Sequence, residues 1–272
     1  MKWHNQISGF LKNLFRYSLT ISALGWLGNE GRAADAVSIE QVRTDAAAAG
    51  AMEQQSESAD SLEASLSAGY ESRYVAEGRD NLGGDGMFAS TLEVGYQGFT
   101  AGFWYANSPD ADYEETNSWL QYNHSISDFE ISVAYTHLRF LSDDEYENEL
   151  GLGVEYGALP WNLTATALGY YSFDAEGSFF ELGLNGDYEI KPWLTLSPYS
   201  LFGLNSGYIS DGHDGANNFE VGLAGEIPLG SGWSIVGHIS YNFEINSDPA
   251  RYAGDESLNN FFHGGVALRF SF

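Results

Sequence analysis

The chain has 272 residues, of which 43% are hydrophobic and 15% aromatic, and it carries 38 Asp and Glu against 11 Lys and Arg. A chain this acidic excludes nucleic acid as a partner, because phosphate binding depends on Lys and Arg, and it favours cations instead. The absence of cysteine excludes disulfides and thiolate chemistry.

The first 36 residues have the composition of a secretory signal peptide. Lys2, Lys12 and Arg16 precede an apolar stretch at 17–27, and small residues at 31–36 offer a cleavage site. A single membrane anchor is the alternative interpretation, but the apolar stretch is too short to span a bilayer as a helix. We therefore expect export and removal of residues 1–36.

From residue 61 to the end, the chain alternates apolar and polar residues with period 2, which is the pattern of strands with two different faces. In the first segment, Leu62, Leu66 and Tyr70 share one parity, while Glu63 and Glu71 share the other. Eleven similar segments follow, which predicts about twelve strands.

The gaps between these segments are alternately long and short. Long acidic outer loops and short periplasmic turns are typical of outer-membrane barrels, so the order predicts an even strand number with both termini in the periplasm. The predicted fold is therefore an all-β, transmembrane, antiparallel up-and-down β-barrel over residues 61–272.

A soluble β-sandwich is the alternative for any alternating sequence, and the aromatic residues argue against it. They gather on the apolar parity at strand ends, where two membrane interfaces require girdles. The predicted periplasmic girdle contains Tyr96, Phe99, Tyr122, Phe129, Tyr156, Trp161, Tyr188 and Trp233. The predicted outer girdle contains Tyr74, Phe88, Tyr105, Tyr171, Phe180, Phe219, Tyr241 and Phe262.

Two details fit the strand pattern poorly. Pro198 lies inside the ninth predicted strand, where it removes a ladder hydrogen bond unless a bulge forms. Asn185-Gly186 is a hairpin-turn dipeptide inside the eighth, but the parity continues from Leu182 to Tyr188, so we predict one strand there.

Several stretches resemble the TorF-like (Gcw_chp) porin family. They are GYESRYVAEG at 69–78, GFTAGFWYAN at 98–107, WLQY at 119–122 and DFEISVAYTHLRF at 128–140. The closing RFSF resembles the signal, ending here in Phe272, by which outer-membrane barrels engage their insertion machinery. The resemblance implies a porin-like barrel with no catalytic residues. In one departure, Glu77 stands where the family usually has Arg.

The polar parity predicts the residues that line the pore. Fixed negative charge in a narrow water-filled channel raises the local cation concentration, which predicts cation preference. The candidates are Glu63, Glu71, Arg73, Glu93, Trp104, Glu115, Trp119, Glu130, Glu149, Glu155, Glu181, Asp187, Glu220, Glu226, His238, Asn242, Glu244 and Arg269. Alternatively, these carboxylates pair with other side chains and fill a narrow barrel.

Residues 37–60 are rich in Ala, Glu, Gln and Ser and show no alternation, so we interpret them as a low-complexity periplasmic linker. A helix from this segment entering and plugging the barrel is a second hypothesis. A barrel with a purely structural role therefore stays open as an alternative.

An enzyme is the third class of function to consider. His238 and Ser240 have the His-x-Ser spacing of outer-membrane phospholipases, whose active sites face the lipid, but here this parity faces the lumen. The acidic loops at 143–145 and 211–215 lack EF-hand spacing. We therefore predict no enzyme, cofactor or metal site. Trp104 and Trp119 are candidates to stack a flat or sugar-like solute.

Together these patterns predict an outer-membrane porin of a Gram-negative bacterium that lets small solutes diffuse passively. Its predicted partners are the lipid bilayer with its outer-leaflet lipid, the insertion machinery through Phe272, and small solutes, but no nucleic acid.

Overall fold

The computed structural model describes residues 62–272. The predicted signal peptide (1–36) and linker (37–60) lie outside the described residues. Across the part that is described, no helix has both the length and the hydrophobicity needed to cross a membrane.

The described chain is all-β. Twelve antiparallel strands of at least nine residues each form one sheet, long enough to cross the hydrocarbon layer. They are β1 (Glu63–Glu71), β2 (Met87–Tyr96), β3 (Phe99–Asn107), β4 (Glu114–Ile126), β5 (Phe129–Phe140), β6 (Glu145–Leu159), β7 (Leu163–Ser172), β8 (Gly177–Gly186 continued by Tyr188–Lys191), β9 (Leu194–Ser206), β10 (Gly215–Gly230), β11 (Trp233–Glu244) and β12 (Phe261–Ser271).

Each strand pairs with its sequence neighbours, and β1 pairs with β12, so the sheet closes into a barrel. The closing pair places Leu66 opposite Phe270. The backbone groups of Ala64 and Phe272 also exchange two hydrogen bonds of 2.9 Å. Both ends of the described chain therefore lie at the same end of the barrel, as the even strand number requires.

The interruption of β8 lies opposite Pro198 of β9. Asn185 pairs with Tyr199 and Tyr188 pairs with Leu196, so the break at Asp187 faces the part of β9 that contains the proline. Pro198 itself pairs in register with Leu223 on β10. The missing N–H of the proline is thus accommodated by breaking β8. The prediction of one strand through Asn185-Gly186 is confirmed, with this break.

The two parities face opposite environments, as predicted. Leucine, valine and aromatic side chains of the apolar parity point outwards, so that Leu120 and Leu152 are each 55% exposed. Neighbouring strands pair aromatic rings on this surface, including Phe99 with Tyr122 at 4.8 Å and Tyr241 with Phe262 at 4.5 Å between centroids. These pairs lie near opposite ends of the barrel, as two girdles require.

Short turns join the strands at the end that holds the termini. Gln97 and Gly98 connect β2 to β3, and both have positive φ, 49° and 80°. This conformation matches the twist of a two-residue hairpin, and glycine adopts it without strain. At the other end, the longest connections are loop 1 (residues 72–86), loop 5 (residues 207–214) and loop 6 (residues 245–260).

Candidate functional site: the lumen and its inward loop

The candidate residues occupy the inward parity of the strands or the barrel ends, with different degrees of burial. The buried ones are Trp104, Glu115, Trp119, Glu130, Glu149, Glu181, Glu220, Glu226, Asn242 and Arg269. The half-buried ones are Glu71, Arg73, Glu93, Glu155, Asp187, His238 and Glu244, and Glu63 is exposed at the periplasmic end. The candidate carboxylates thus lie on eight of the twelve strands that surround the lumen.

The most consequential feature is that loop 1 folds into the lumen. Residues 74–80 are all buried, and a small hairpin forms where Val75–Ala76 pairs with Arg79–Asp80. Gly78 makes its turn with φ of 71°, and a Cβ atom there would lie 2.4 Å from Cγ of Asn218 on the barrel wall. Only glycine fits this close approach.

This path corrects one prediction. Tyr74 was expected on the lipid face in the outer girdle, but β1 ends at Glu71 and Tyr74 is completely buried inside the barrel. Its ring packs 5.1 Å from that of Tyr113 and 6.4 Å from that of Trp104, and its hydroxyl donates to Glu115 at 3.1 Å. If β1 continued to Tyr74, the tyrosine hydroxyl would lie at the membrane interface. Inside the lumen the hydroxyl instead has a hydrogen-bond acceptor.

Arg79 anchors the tip of loop 1. Its guanidinium is fully buried and donates to the carbonyl oxygen of Gly254 at 2.8 Å, to Oδ1 of Asn217 at 2.8 Å and to Oδ1 of Asp255 at 3.2 Å. It also reaches the carbonyl of Glu77 at 3.2 Å. The planar fork therefore joins loop 1 to β10 and loop 6.

Asp255 is in turn held from several sides. Its Oδ2 lies 2.8 Å from Nδ1 of His213 in loop 5 and accepts the backbone N–H of Asp248 at 3.0 Å. Burial disfavours the carboxylate, but these hydrogen bonds outweigh burial and hold the pKa of Asp255 below its usual value. Burial lowers the pKa of Arg79, and the charges of Asp255, Glu77 and Asp211 oppose that shift.

The main chain and side chains of loop 1 also contact the barrel wall. Asn217 of β10 donates to the carbonyl of Glu77 at 2.5 Å, and Asn242 of β11 donates to that of Gly78 at 2.9 Å. On another side of the barrel, the hydroxyl of Tyr170 on β7 donates to Oε1 of Glu77 at 2.6 Å. The carbonyl oxygens of Glu77 and Gly78 and Oε1 of Glu77 are thus bound by strands spread around the lumen.

Aromatic side chains pack beside this loop. Tyr170, Phe179 and Tyr208 lie 5.1 to 6.0 Å apart between ring centroids and are almost completely buried. The hydroxyl of Tyr208 donates to Oε1 of Glu149 at 2.6 Å. Loop 5 therefore also enters the lumen, beside loop 1.

Below loop 1, a cavity of about 50 Å³ lies along β1, β2, β11 and β12. Its lining includes Glu71, His238 and Trp104 together with small residues such as Gly69 and Ala89. This volume holds a few water molecules. Stacking of a flat or sugar-like solute on Trp104 and Trp119 stays a prediction. Trp119 lies against Gly102 on the neighbouring strand.

Glu71, His238 and Ser240 form a chain of contacts that resembles a hydrolytic triad. Nε2 of His238 lies 2.9 Å from Oε2 of Glu71, and its Nδ1 lies 3.4 Å from Oγ of Ser240. However, Ser240 is 2% exposed, its Oγ is hydrogen-bonded to the hydroxyl of Tyr199, and it does not line the cavity. A nucleophile must be reachable by its substrate, so the contacts support structure rather than hydrolysis.

The periplasmic half of the lumen carries charges without a loop. Glu130 on β5 is paired with Glu155 on β6, which places two glutamates side by side on the inward face. Across β11, Nη1 of Arg269 on β12 lies 3.6 Å from Oε2 of Glu226 on β10. Within residues 62–272, no three potential ligand side chains converge as a metal site would require.

The sequence reasoning missed Arg79, Asp255 and Asn217, which hold loop 1. One signal was available, because Tyr74, Val75 and Ala76 form an apolar run directly before loop residues that were expected to be solvated. Arg79 stands two positions after Glu77, inside the same loop. The contact partners themselves have no local signal, since they lie more than 130 positions away.

Comparisons with known proteins place the fold among small porins. The KdgM porin, in a structure titled as a complex with disordered oligogalacturonate, superposes with a TM-score of 0.53 and 11% identity over 76% of this chain and 99% of that chain. The NanC porin superposes with a TM-score of 0.49 and 11% identity over 77% of this chain and 99% of that chain. An outer-membrane channel from Pseudomonas putida F1 superposes with a TM-score of 0.48 and 11% identity over 78% of this chain and 96% of that chain.

No family model and no curated protein matches the chain. The likeness to the KdgM porin therefore shows the fold alone, which is a closed, antiparallel twelve-strand barrel.

Proposed function

We propose that the chain forms a channel for passive diffusion of small solutes across the outer membrane, with preference for cations. The observation that carries the proposal is the charge of the buried lumen. Its buried glutamates are Glu77, Glu115, Glu130, Glu147, Glu149, Glu181, Glu220 and Glu226, whereas the buried basic side chains among residues 62–272, apart from histidine, are Arg79 and Arg269.

Fixed charge of one sign in a narrow, water-filled passage concentrates ions of the opposite sign and repels the rest. The KdgM porin was solved with oligogalacturonate, which is a polyanion. A lumen lined by carboxylates disfavours such a molecule, so we propose that this barrel instead admits small cations and neutral solutes.

The inward loop 1 limits the size of the solute. Both loop 1 and loop 5 occupy part of the lumen, so we expect a small conductance. The same loop favours a second candidate function, a closed barrel with a structural role in the envelope, because its buried polar groups are extensively hydrogen-bonded.

Conductance separates the two candidates. Purified full chain in a planar bilayer with a KCl gradient is expected to give small conductance steps and a reversal potential on the side of K⁺ permeation. A preference for Cl⁻ contradicts the charge argument, and no conductance at all favours the structural barrel.

Three finer assignments stay predictions. They are the signal peptide at residues 1–36, membership of the TorF-like family, and the role of Phe272 in engaging the insertion machinery of a Gram-negative outer membrane. The exposed Phe272, paired at the barrel seam through Ala64, is compatible with the last of these.

A further inference from the structure

We infer that loop 1 is the constriction of the channel and that Arg79 is the residue that keeps it in the lumen. Arg79 then determines both the conductance and the ion selectivity. The inference rests on the proposed channel function and assigns its limiting element to named residues.

The first step is the path of the loop. The hydroxyl of Tyr74 contacts Glu115 on β4, and the carbonyl of Glu77 accepts from Asn217 on β10. In a closed ring of twelve strands, β4 and β10 lie half a circumference apart. Residues 74–77 therefore cross the lumen from one wall to the other.

The second step is how the loop is held. The hairpin of loop 1 pairs with itself over two residues on each side and adds no strand to the barrel. Its backbone connection to loop 6 is short, with a bridge between Arg79 and Leu258 and a hydrogen bond of 2.9 Å from the N–H of Asp80 to the carbonyl of Ser257. Release of loop 1 therefore leaves the twelve-strand ladder intact.

The third step is the concentration of contacts on one side chain. The guanidinium of Arg79 reaches Asn217 on β10 as well as Gly254 and Asp255 in loop 6. Removal of this side chain breaks contacts to a strand and a loop at once. It also leaves Asp255 buried without its cation, which disfavours the inward position of loop 1.

The fourth step is electrostatic. Arg79 places a positive charge in the constriction, where it opposes the passage of cations past Glu77 and Asp255. Loss of this charge, together with a displaced loop, is expected to strengthen the cation preference. A merely structural residue would change stability without moving the reversal potential.

The test compares Arg79→Ala with Arg79→Lys and with Arg139→Ala in planar bilayers. Arg139 is 54% exposed on the outside of the barrel and pairs with the exposed Asp144, so it is the matched control. We expect Arg79→Ala to raise the single-channel conductance at least threefold and to shift the reversal potential further towards K⁺. Arg79→Lys is expected to keep the selectivity of the wild type with a smaller rise in conductance, and Arg139→Ala to match the wild type.

A cross-link tests the same inference without removing Arg79. Because the chain has no cysteine, Asp80→Cys with Ser257→Cys introduces a single pair at the junction between loops 1 and 6. The oxidised pair is expected to conduct less than the reduced pair in the same bilayer. Circular dichroism establishes that each variant is folded.

The outcomes distinguish a failure of the inference about loop 1 from a failure of the proposed channel function. If the wild type conducts but neither Arg79→Ala nor the redox state of the cysteine pair changes the current, the inference is wrong and the channel stands. If folded wild type and all folded variants are silent, the channel function fails and the inference fails with it. If only Arg79→Ala conducts, loop 1 is the constriction.

Discussion

Arg79 and Asp255 lie 176 positions apart in the chain and form an ion pair of 3.2 Å in which both side chains are completely buried. The carboxylate is shared with His213 at 2.8 Å, so the pair joins loops 1, 5 and 6 inside the barrel. A buried pair of this kind contributes less net stability than its geometry suggests, since both charges lose their hydration, but breaking it leaves one charge uncompensated.

A double-mutant cycle measures this coupling. Arg79→Met and Asp255→Asn are each expected to lower the free energy of unfolding by about 3 kcal/mol, because each leaves a buried group without its partner. The double variant is expected to lose less than the sum of the two. Denaturation by guanidinium chloride in detergent micelles, followed by tryptophan fluorescence, gives the values. Additive losses would show that the pair is not coupled.

The ion pair also predicts a pH dependence of stability. The pKa of Asp255 lies below its usual value of 3.8, since hydrogen bonds from Asp248 and His213 outweigh burial. Its carboxylate therefore contributes stability that is fully present above about pH 4 and is lost as the pH falls through the lowered pKa. Arg79 faces this carboxylate as a positive partner, His213 contacts its Oδ2, and Asp211 adds a nearby negative charge.

The expected result is a stability difference between wild type and Asp255→Asn that is large at pH 7 and shrinks below pH 4. Thermal unfolding at a series of pH values checks it. The comparison with Asp255→Asn removes the effect of the other carboxylates, which both proteins share. A difference that stays constant down to pH 2 would contradict the assignment.

The paired glutamates of the periplasmic half predict a change in selectivity. Glu130 and Glu155 lie side by side on neighbouring strands of the lumen. The double variant Glu130→Gln, Glu155→Gln is expected to reduce the K⁺ to Cl⁻ permeability ratio roughly twofold, because two fixed charges are removed from the passage. Glu189→Gln, exposed beside the turn after β8, is the matched control and is expected to leave the ratio unchanged. An equal effect of both variants would place selectivity outside the lumen.

The apolar outer surface predicts that a charged side chain placed on it lowers the stability of the barrel. Leu152, on β6, is 55% exposed on the apolar face. Leu152→Arg is expected to lower the stability of the barrel in lipid vesicles by about 2 kcal/mol or more, because the charge lies in the hydrocarbon region. Leu152→Phe keeps the surface apolar and serves as the control. Equal stability of the two variants would argue that this face does not contact lipid.

The sequence predicted the barrel because its evidence was local. The alternation of Leu120 with Gln121 or of Val133 with Ala134 assigns each residue to a face, since successive side chains in a strand point to opposite sides. The two exceptions to the strand pattern, Pro198 and Asn185-Gly186, have one common cause, because the break in β8 lies opposite the proline on β9. Tyr74 shows where this reasoning stops. The position of Tyr74 in the alternation predicted a lipid-facing side chain in the outer girdle. However, β1 ends at Glu71, before Tyr74.

By itself, the sequence determined the strand number, the two faces, and the carboxylates that point inwards, because hydrophobic periodicity acts between neighbours in the chain. Only the tertiary structure decided that loop 1 enters the lumen. That choice depends on Asn217 and Asp255, which closure of the barrel brings to Arg79 across 138 and 176 positions. No local pattern encodes such pairings, since an arginine in a polar loop has the same sequence signature whether it faces water or a buried carboxylate.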